Sequence, residues 1–354
     1  MNDNEFFIIE QFKPEVNTAE MLKESEINLC EAMPKPPICL YMGDESLFYL
    51  GDISTTIGKA KGRKTFASGF ILAALAGNCT IQNKFRAFLP ENKRMVLYFD
   101  TEQGAYHAQK AAKRVLRLLN VDYLPNFKAY GLRKYTPAER LQIIEHAIVN
   151  TPELGFVYID GIRDLITSIN DEEQATMITT KLLKWSGEKN IHINCVLHMN
   201  KSDQNARGHV GTELMNKSLT VLGVNQNEKQ KEYSTIEAIA CRDKEPEPIT
   251  FGIDVEGLPF LLDVDQIQNL KAMEEVKSKK NFQPSDYTAE THVDILKMKI
   301  FINQDEREYS DLLSSVQNAY TAGTNKAKNI ITYLVDIGIL AKCKKGNKSI
   351  YSML

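Results

Sequence analysis

The chain of 354 residues contains no Cys-x-x-Cys pair: its six cysteines stand singly at positions 30, 39, 79, 195, 241 and 343. That spacing supports neither a zinc ribbon nor a dithiol redox motif and leaves reduced, isolated thiols. No apolar run approaches the roughly 20 residues of a membrane-spanning helix. The opening MNDNEFFIIEQFKPEV lacks a basic stretch followed by an apolar one, so no secretory signal is expected there. Internal repeats and low-complexity tracts are also lacking. A cytoplasmic protein without a membrane partner is expected. Nor is there a bulk surplus of positive charge: 43 Lys and Arg stand against 46 Asp and Glu, a net −3. Any surface for nucleic acid must therefore be local.

What is present is an alternation. Short apolar runs at 47–53, 94–100, 127–132, 155–160, 191–199, 219–224, 234–241 and 249–255 are interleaved with helical stretches at 66–76, 106–119, 138–150 and 171–188. Strands alternating with helices predict an α/β domain with a mainly parallel sheet covered on both faces. The last runs lie close together and predict antiparallel hairpins at its edge. This domain spans 38–263, after an N-terminal arm at 1–37. Residues 264–292 are polar and without apolar period, which reads as a linker. The block 293–354 regains a pattern of three short helices and two short strands around the turn KKGNK.

The stretch 51–66, GDISTTIGKAKGRKTF, reads as a strand end, a loop and a helix start. The loop (Gly58, Lys59, Ala60, Lys61, Gly62, Arg63) would present successive amides and a helix N-terminus to an anion, with Phe66 following. Lys64 fits the phosphate lysine and Thr65 the Mg²⁺ hydroxyl of a P-loop. That pattern asks for glycine where Arg63 stands, with Gly62 one step early. Arg63 is compatible if its side chain points away and Gly62 supplies the turn; otherwise it signals weakened turnover. Lys59 and Lys61 are either phosphate contacts or solvated charges.

Two strand ends add to the loop. GFVYID ends in Asp160, 96 residues after Lys64, where a carboxylate can reach Mg²⁺ beside Thr65. Such an aspartate is also a common cap of the next helix. RMVLYFDTEQG places Glu102 just past another strand, where it can orient the attacking water, or simply sit at a helix start.

The order GKAKGRKT, LYFDTEQG, VYIDGIRDL and VLHMNKSD…RGHVGTEL resembles the RecA-like ATPases, and within them the small hexameric RepA-type replicative helicases of plasmids and mobile elements. The resemblance covers about 38–263. It implies ATP and Mg²⁺ as cofactors, Lys64 on the phosphates, Thr65 and Asp160 at the metal, and Glu102 as the catalytic carboxylate. It further implies a γ-phosphate sensor at His198, with Asn200 second, and a pore loop holding single-stranded DNA through Lys201 and Arg207. Arg242 would be an arginine finger reaching a neighbouring subunit's nucleotide, with Lys244 assisting. The active form would be a homo-oligomer, a hexameric ring.

Residues 293–354 carry nine Lys and Arg against six Asp and Glu, while the remainder carries 34 against 40. The stretch from Thr321 resembles the recognition helix and wing of winged-helix domains. Asn325, Lys326, Lys328 and Asn329 would face a DNA groove, and Lys344, Lys345 and Lys348 would meet phosphates. Winged helices also bind proteins, and a primase is one expected partner. Two functions follow: a ring-forming DNA helicase of a mobile element, or an ATP-responsive DNA-binding regulator or replication-initiation factor without unwinding.

Overall fold

The computed structural model describes residues 17–168, 171–199, 206, 208–227, 230–268, 270, 283–302, 304–346 and 348–354. The chain divides into two compact units, Met1–Pro36 and Pro37–Leu354. In the first, Asn17 caps helix α1 (Thr18–Glu24) by accepting from the Glu20 amide, and no residue of that helix is buried.

The second unit opens with β1 (Ile38–Met42) and β2 (Glu45–Tyr49), an antiparallel pair. Then come β3 (Ile53–Gly58), α2 (Lys64–Gly77), β4 (Thr80–Ile81), β5 (Phe85–Ala87) and β6 (Met95–Asp100). They are followed by α3 (Ala105–Leu118), β7 (Phe127–Gly131), α4 (Pro137–Asn150), β8 (Leu154–Asp160), α5 (Glu172–Lys189) and β9 (His192–His198). Helix α6 (Gly208–Lys217) leads to β10 (Thr220–Gln226), β11 (Ser234–Cys241), β12 (Ile249–Ile253) and β13 (Pro259–Leu261).

The large sheet has the order β13-β12-β11-β10-β3-β9-β8-β6-β7. Pairing is parallel from β7 through β10 and antiparallel from β10 through β13. One apolar cluster, including Phe70, Leu75 and Phe156, fills one face of the sheet. A second, including Ile144, Ile178 and Leu182, fills the other. The expected two-face α/β domain is therefore present, with the small sheet β2-β1-β5-β4 beside it.

The run expected at 47–53 is not one strand. It spans the end of β2, a turn at Leu50–Gly51 and the first residue of β3. The strand that feeds the loop is ISTTIG, which reads as polar yet is wholly buried. Its hydroxyls are matched by partners: Ser54 lies 2.7 Å from His192 Nε2, Thr55 2.7 Å from Ser218, and Thr56 donates to Asn194 at 3.1 Å. Burying a hydroxyl costs free energy that such a partner offsets, and the partners come from 138 to 163 residues away in sequence.

The C-terminal block begins earlier than expected. Residues 264–268 are helical and Leu270 packs on the block's apolar cluster, so this part of the expected linker is structured; residues 271–282 lie outside the described ones. Helix α7 (Ala289–Ile295) is capped by Thr288 and runs into a π-helical turn, Leu296–Ile300. Then follow β14 (Glu306–Glu308), α8 (Tyr309–Tyr320), α9 (Thr324–Asp336), β15 (Leu340–Lys345) and β16 (Lys348–Met353). The three strands form a sheet of order β14-β16-β15 over a cluster containing Leu312, Ile330 and Leu334. No helix among the described residues is long and apolar enough to cross a membrane.

His192 shows how the sheet depends on pH. It stacks on Phe48 at 4.4 Å, and Tyr49 O and Ser54 Oγ each lie 2.7 Å from its ring nitrogens. Burial pushes its pKa from 6.5 down to about 3. Between those values the unfolded chain takes up a proton that the folded protein refuses. Stability from this site is complete above 6.5 and is lost as pH falls toward 3. Urea unfolding of His192→Gln between pH 7 and 4 should show an acid slope shallower by about one proton than the parent's.

Candidate nucleotide site

Strand register places the site. Gly58 of β3 is opposite His198 of β9, Asp160 of β8 is opposite Val196, and Asp100 of β6 is opposite Asp160. Four parallel strands thus end at one edge, the edge where open α/β sheets bind ligands. A cleft of about 540 Å³ opens there, lined by the loop, α3 and these strand ends. Its size suits a small ligand.

The loop has the expected course with an unexpected division of labour. Arg63, not Gly62, takes the left-handed conformation (φ 69°), and so does Lys61 (φ 61°). Such a conformation costs a non-glycine residue about 1–2 kcal/mol. Gly62 is needed for a different reason: a Cβ there would meet Lys59 O at 2.8 Å, across the turn closed by the Gly62 amide on that same oxygen. Gly58 is held by close approach as well, since its Cβ would fall 2.4 Å from Val224 O. The Arg63 guanidinium points away from the loop and donates to Glu232 O. Helix α2 starts at Lys64, two residues before the expected start, with no side-chain cap and no acidic residue in its first turn. Its N-terminal end thus faces the cleft with no carboxylate of its own first turn to offset the dipole.

Lys64 is 7% exposed. Its ammonium donates to Gly58 O (2.9 Å), Lys59 O (3.1 Å) and His198 Nδ1 (3.1 Å). Burial lowers its pKa, with Asp160 and Glu102 acting the other way. His198 Nε2 lies 3.1 Å from Glu102 Oε1. A neutral imidazole with its proton on Nε2 satisfies both contacts, accepting from Lys64 and donating to Glu102. The hydrogen bond from His198 is the main reason Glu102 is held below the usual carboxylate value.

Asp160 accepts from Thr65 Oγ1 at 3.3 Å. The Tyr98 hydroxyl lies 3.2 Å from Asp100 and 3.4 Å from Asp160. Asp100 in turn accepts from the amides of Glu102 and Gln103 and from the Gln103 side chain, which sets the turn that projects Glu102. Burial first, then the charges of Asp100 and Glu102, raise Asp160 to about 7. Among the described residues no three His, Cys, Asp or Glu converge as a metal cage. One hydroxyl and one carboxylate under excess negative charge fit Mg²⁺, a hard cation that takes few protein ligands and completes its shell with phosphate oxygens and water.

The structure therefore brings together Lys61, Gly62, Arg63, Lys64, Thr65, Phe66, Glu102, Asp160 and His198. Gly58 and Lys59 contribute carbonyls that accept from Lys64, while Ala60 lies exposed in the turn. Asn200, Lys201 and Arg207 lie outside the described residues. Arg242 is not at this cleft. It follows β11, whose Cys241 pairs with Thr220 at the level of Ser54, the opening end of β3. There it lies near enough to Asp52 to lower that carboxyl, which burial raises. Lys244 pairs with Glu45 at the same end.

Sequence reasoning missed one face of α3. His107, Lys110 and Arg114 of α3 line the cleft at helical spacing, with Gln103 of the preceding turn beside them, a polar stripe that was legible beside Glu102. Arg114, 7% exposed, donates to Thr65 O (3.1 Å) and Gly257 O (3.2 Å) and stacks on Phe66 at 3.9 Å. Gly257 comes from the β12–β13 turn, and nothing local in the sequence announces it.

Residues 17–204 match the AAA domain family, more than half of the chain, and the chain belongs to that family. This is the P-loop ATPase class that the loop and strand-end carboxylates imply. Among solved structures the chain is similar to the RadB recombinase crystal structure, at 13% identity and a TM-score of 0.43, over 60% of this chain and 91% of that one. No curated protein sequence matches.

Asp160 supplies a test of the site. Its pKa stands raised from 3.8 to about 7 in the folded protein. Its contribution is favourable below pH 4 and is lost as pH rises through 7, where the fold must hold a desolvated charge. Nucleotide-free Asp160→Asn should melt above the parent at pH 8, with the gain vanishing toward pH 4 in thermal unfolding scans.

Proposed function

We propose that the protein is a Mg²⁺-dependent ATPase acting on DNA, working as a ring-forming helicase of a mobile genetic element. The observation that carries the reading is the meeting of Lys64, the Thr65–Asp160 pair and the Glu102–His198 pair at four aligned strand ends. The loop amides and Lys64 would hold the phosphates, and Thr65 and Asp160 would hold Mg²⁺, which would offset phosphate charge. Glu102 would align the attacking water, steered by His198, whose ring touches both Glu102 and Lys64 and so responds to either. Arg242 is remote from its own cleft, so the arginine-finger role that the resemblance implies would require a neighbouring subunit's nucleotide, in a homo-oligomer with a composite site. Six subunits are the arrangement that the resemblance to RepA-type helicases suggests.

The order helix, strand, helix, helix, hairpin from Ala289 to Met353 supports a winged-helix assignment for the C-terminal block. Asn325, Lys328 and Asn329 are exposed along α9, and Lys344 is exposed at the hairpin tip. Lys345 and Lys348 are paired with Glu306 and Glu308, so part of their charge is already offset. A groove between α9 and the hairpin adds Lys342, which the sequence reading passed over, to Lys328 and Lys348. This surface would take DNA phosphates; a primase is the alternative occupant.

The second reading is an ATP-responsive DNA-binding regulator without unwinding. It is favoured by Arg63, a left-handed arginine where the loop pattern has glycine. Steady-state ATPase assays with and without single-stranded DNA separate the two. The helicase reading expects DNA-stimulated turnover that falls at least ~100-fold in Glu102→Gln while nucleotide binding persists; binding without turnover in the parent would overturn it. In salt titrations of DNA binding, Lys328→Ala/Lys342→Ala should give a slope shallower by about two, roughly one per lost phosphate contact.

A further inference from the structure

The unusual residue of the loop reaches the C-terminal block. Arg63 ends the loop and precedes Lys64, and its guanidinium holds Glu232 O in the turn between β10 and β11. The Glu232 carboxylate lies 3.9 Å from Lys299 Nζ, whose side chain is only 11% exposed. The next residue, Tyr233, is 4% exposed and donates its hydroxyl to Met298 Sδ at 3.0 Å. Met298 and Lys299 both belong to the π-helical turn Leu296–Ile300, the irregular stretch that leaves α7. Gln230, from the same core turn, donates to Leu270 O at 3.2 Å. One turn of the core thus touches the nucleotide loop on one side and the C-terminal block on the other.

The described residues of that turn are tied together by hydrogen bonds. Asn227 N donates to Tyr233 O, Tyr233 N to Gln230 O, and Gln226 Nε2 to Lys231 O. Beneath it Val224 O packs against Gly58, so the hairpin rests on the loop at two points. The loop, for its part, has reason to move. Lys64 is spent on the carbonyls of Gly58 and Lys59, and a phosphate must take the ammonium from them. A ligand shifts a conformational equilibrium only by interacting differently with its two states, and this exchange of partners is such a difference.

We propose that Arg63 couples occupancy of the phosphate loop to the docking of the C-terminal block, through Glu232, Tyr233 and the Met298–Lys299 turn. The proposal rests on the nucleotide reading of the cleft. It gives Arg63 a role that glycine cannot fill, and it accounts for a left-handed arginine at that position. Coupling of this kind is reciprocal: a ligand of the C-terminal block whose affinity nucleotide changes must alter nucleotide affinity by the same factor.

The test is hydrogen exchange on the full chain, with a non-hydrolysable ATP analogue and Mg²⁺ at concentrations saturating for each variant. In the parent, peptides covering 226–233 and 293–302 should change exchange rate about fivefold or more on nucleotide addition, the lower end of typical couplings. In R63G the response at 293–302 should disappear while that of the loop at 58–66 remains. K299Q, remote from the cleft, should bind nucleotide as the parent does and also lose the response at 293–302. An unaltered response in both variants overturns the coupling, as does a parent that binds nucleotide with no change at 293–302. A parent that binds no nucleotide overturns the reading of the cleft itself, and the coupling with it.

Discussion

Negative charge crowded at the ends of neighbouring strands governs this molecule's candidate site. Asp100, Glu102 and Asp160 are brought together by the in-register pairing of β6 with β8, and the sheet cannot hold them there without compensation. Each is met differently. Asp100, fully buried, is saturated by two amides, a carboxamide and the Tyr98 hydroxyl. Glu102 is stabilised by His198 and by the charge of Lys64. Asp160 receives only weak donors and is left with a raised pKa. Burial first, and then the like charges of Asp100 and Glu102, disfavour the ionised form of Asp160.

The loop is the second dependent feature. A phosphate-binding loop must turn tightly with its amides inward, and glycine normally meets both demands. Here the demands are separated. Gly58 and Gly62 provide close approach, while Lys61 and Arg63 adopt the left-handed backbone. The Arg63 side chain leaves the loop and finds a carbonyl on the adjacent hairpin, so the backbone conformation is held by a tertiary contact. The departure from the P-loop pattern adds a connection outward, from the loop to the hairpin.

The C-terminal block follows a different logic. Its small apolar cluster is its own, and its charges are arranged locally, some lysines offset by glutamates of β14 and others exposed along α9 and the hairpin. That local arrangement reconciles a net-acidic chain with a cationic surface.

Much of this was legible in the residues. Strand–helix alternation predicts the covered parallel sheet, because strands buried on both faces read mostly as short apolar runs. Glu102 and Asp160 are visible as acids following apolar strands, and the order of helices and hairpin after Val293 is visible in its periodicity. The strand ISTTIG was not, because its polarity is tolerable only beside His192, Asn194 and Ser218, which chain order alone does not bring near. Gly257 and the Glu232 carbonyl were hidden for the same reason. The sequence by itself determined which residues carry charge, which segments bury apolar surface and which chemistry the strand ends offer, since those properties are local. Tertiary structure alone decided which charges face one another, that Arg242 sits at the far end of the sheet, and where Arg63 points, since those depend on register and on contacts between segments distant in the chain.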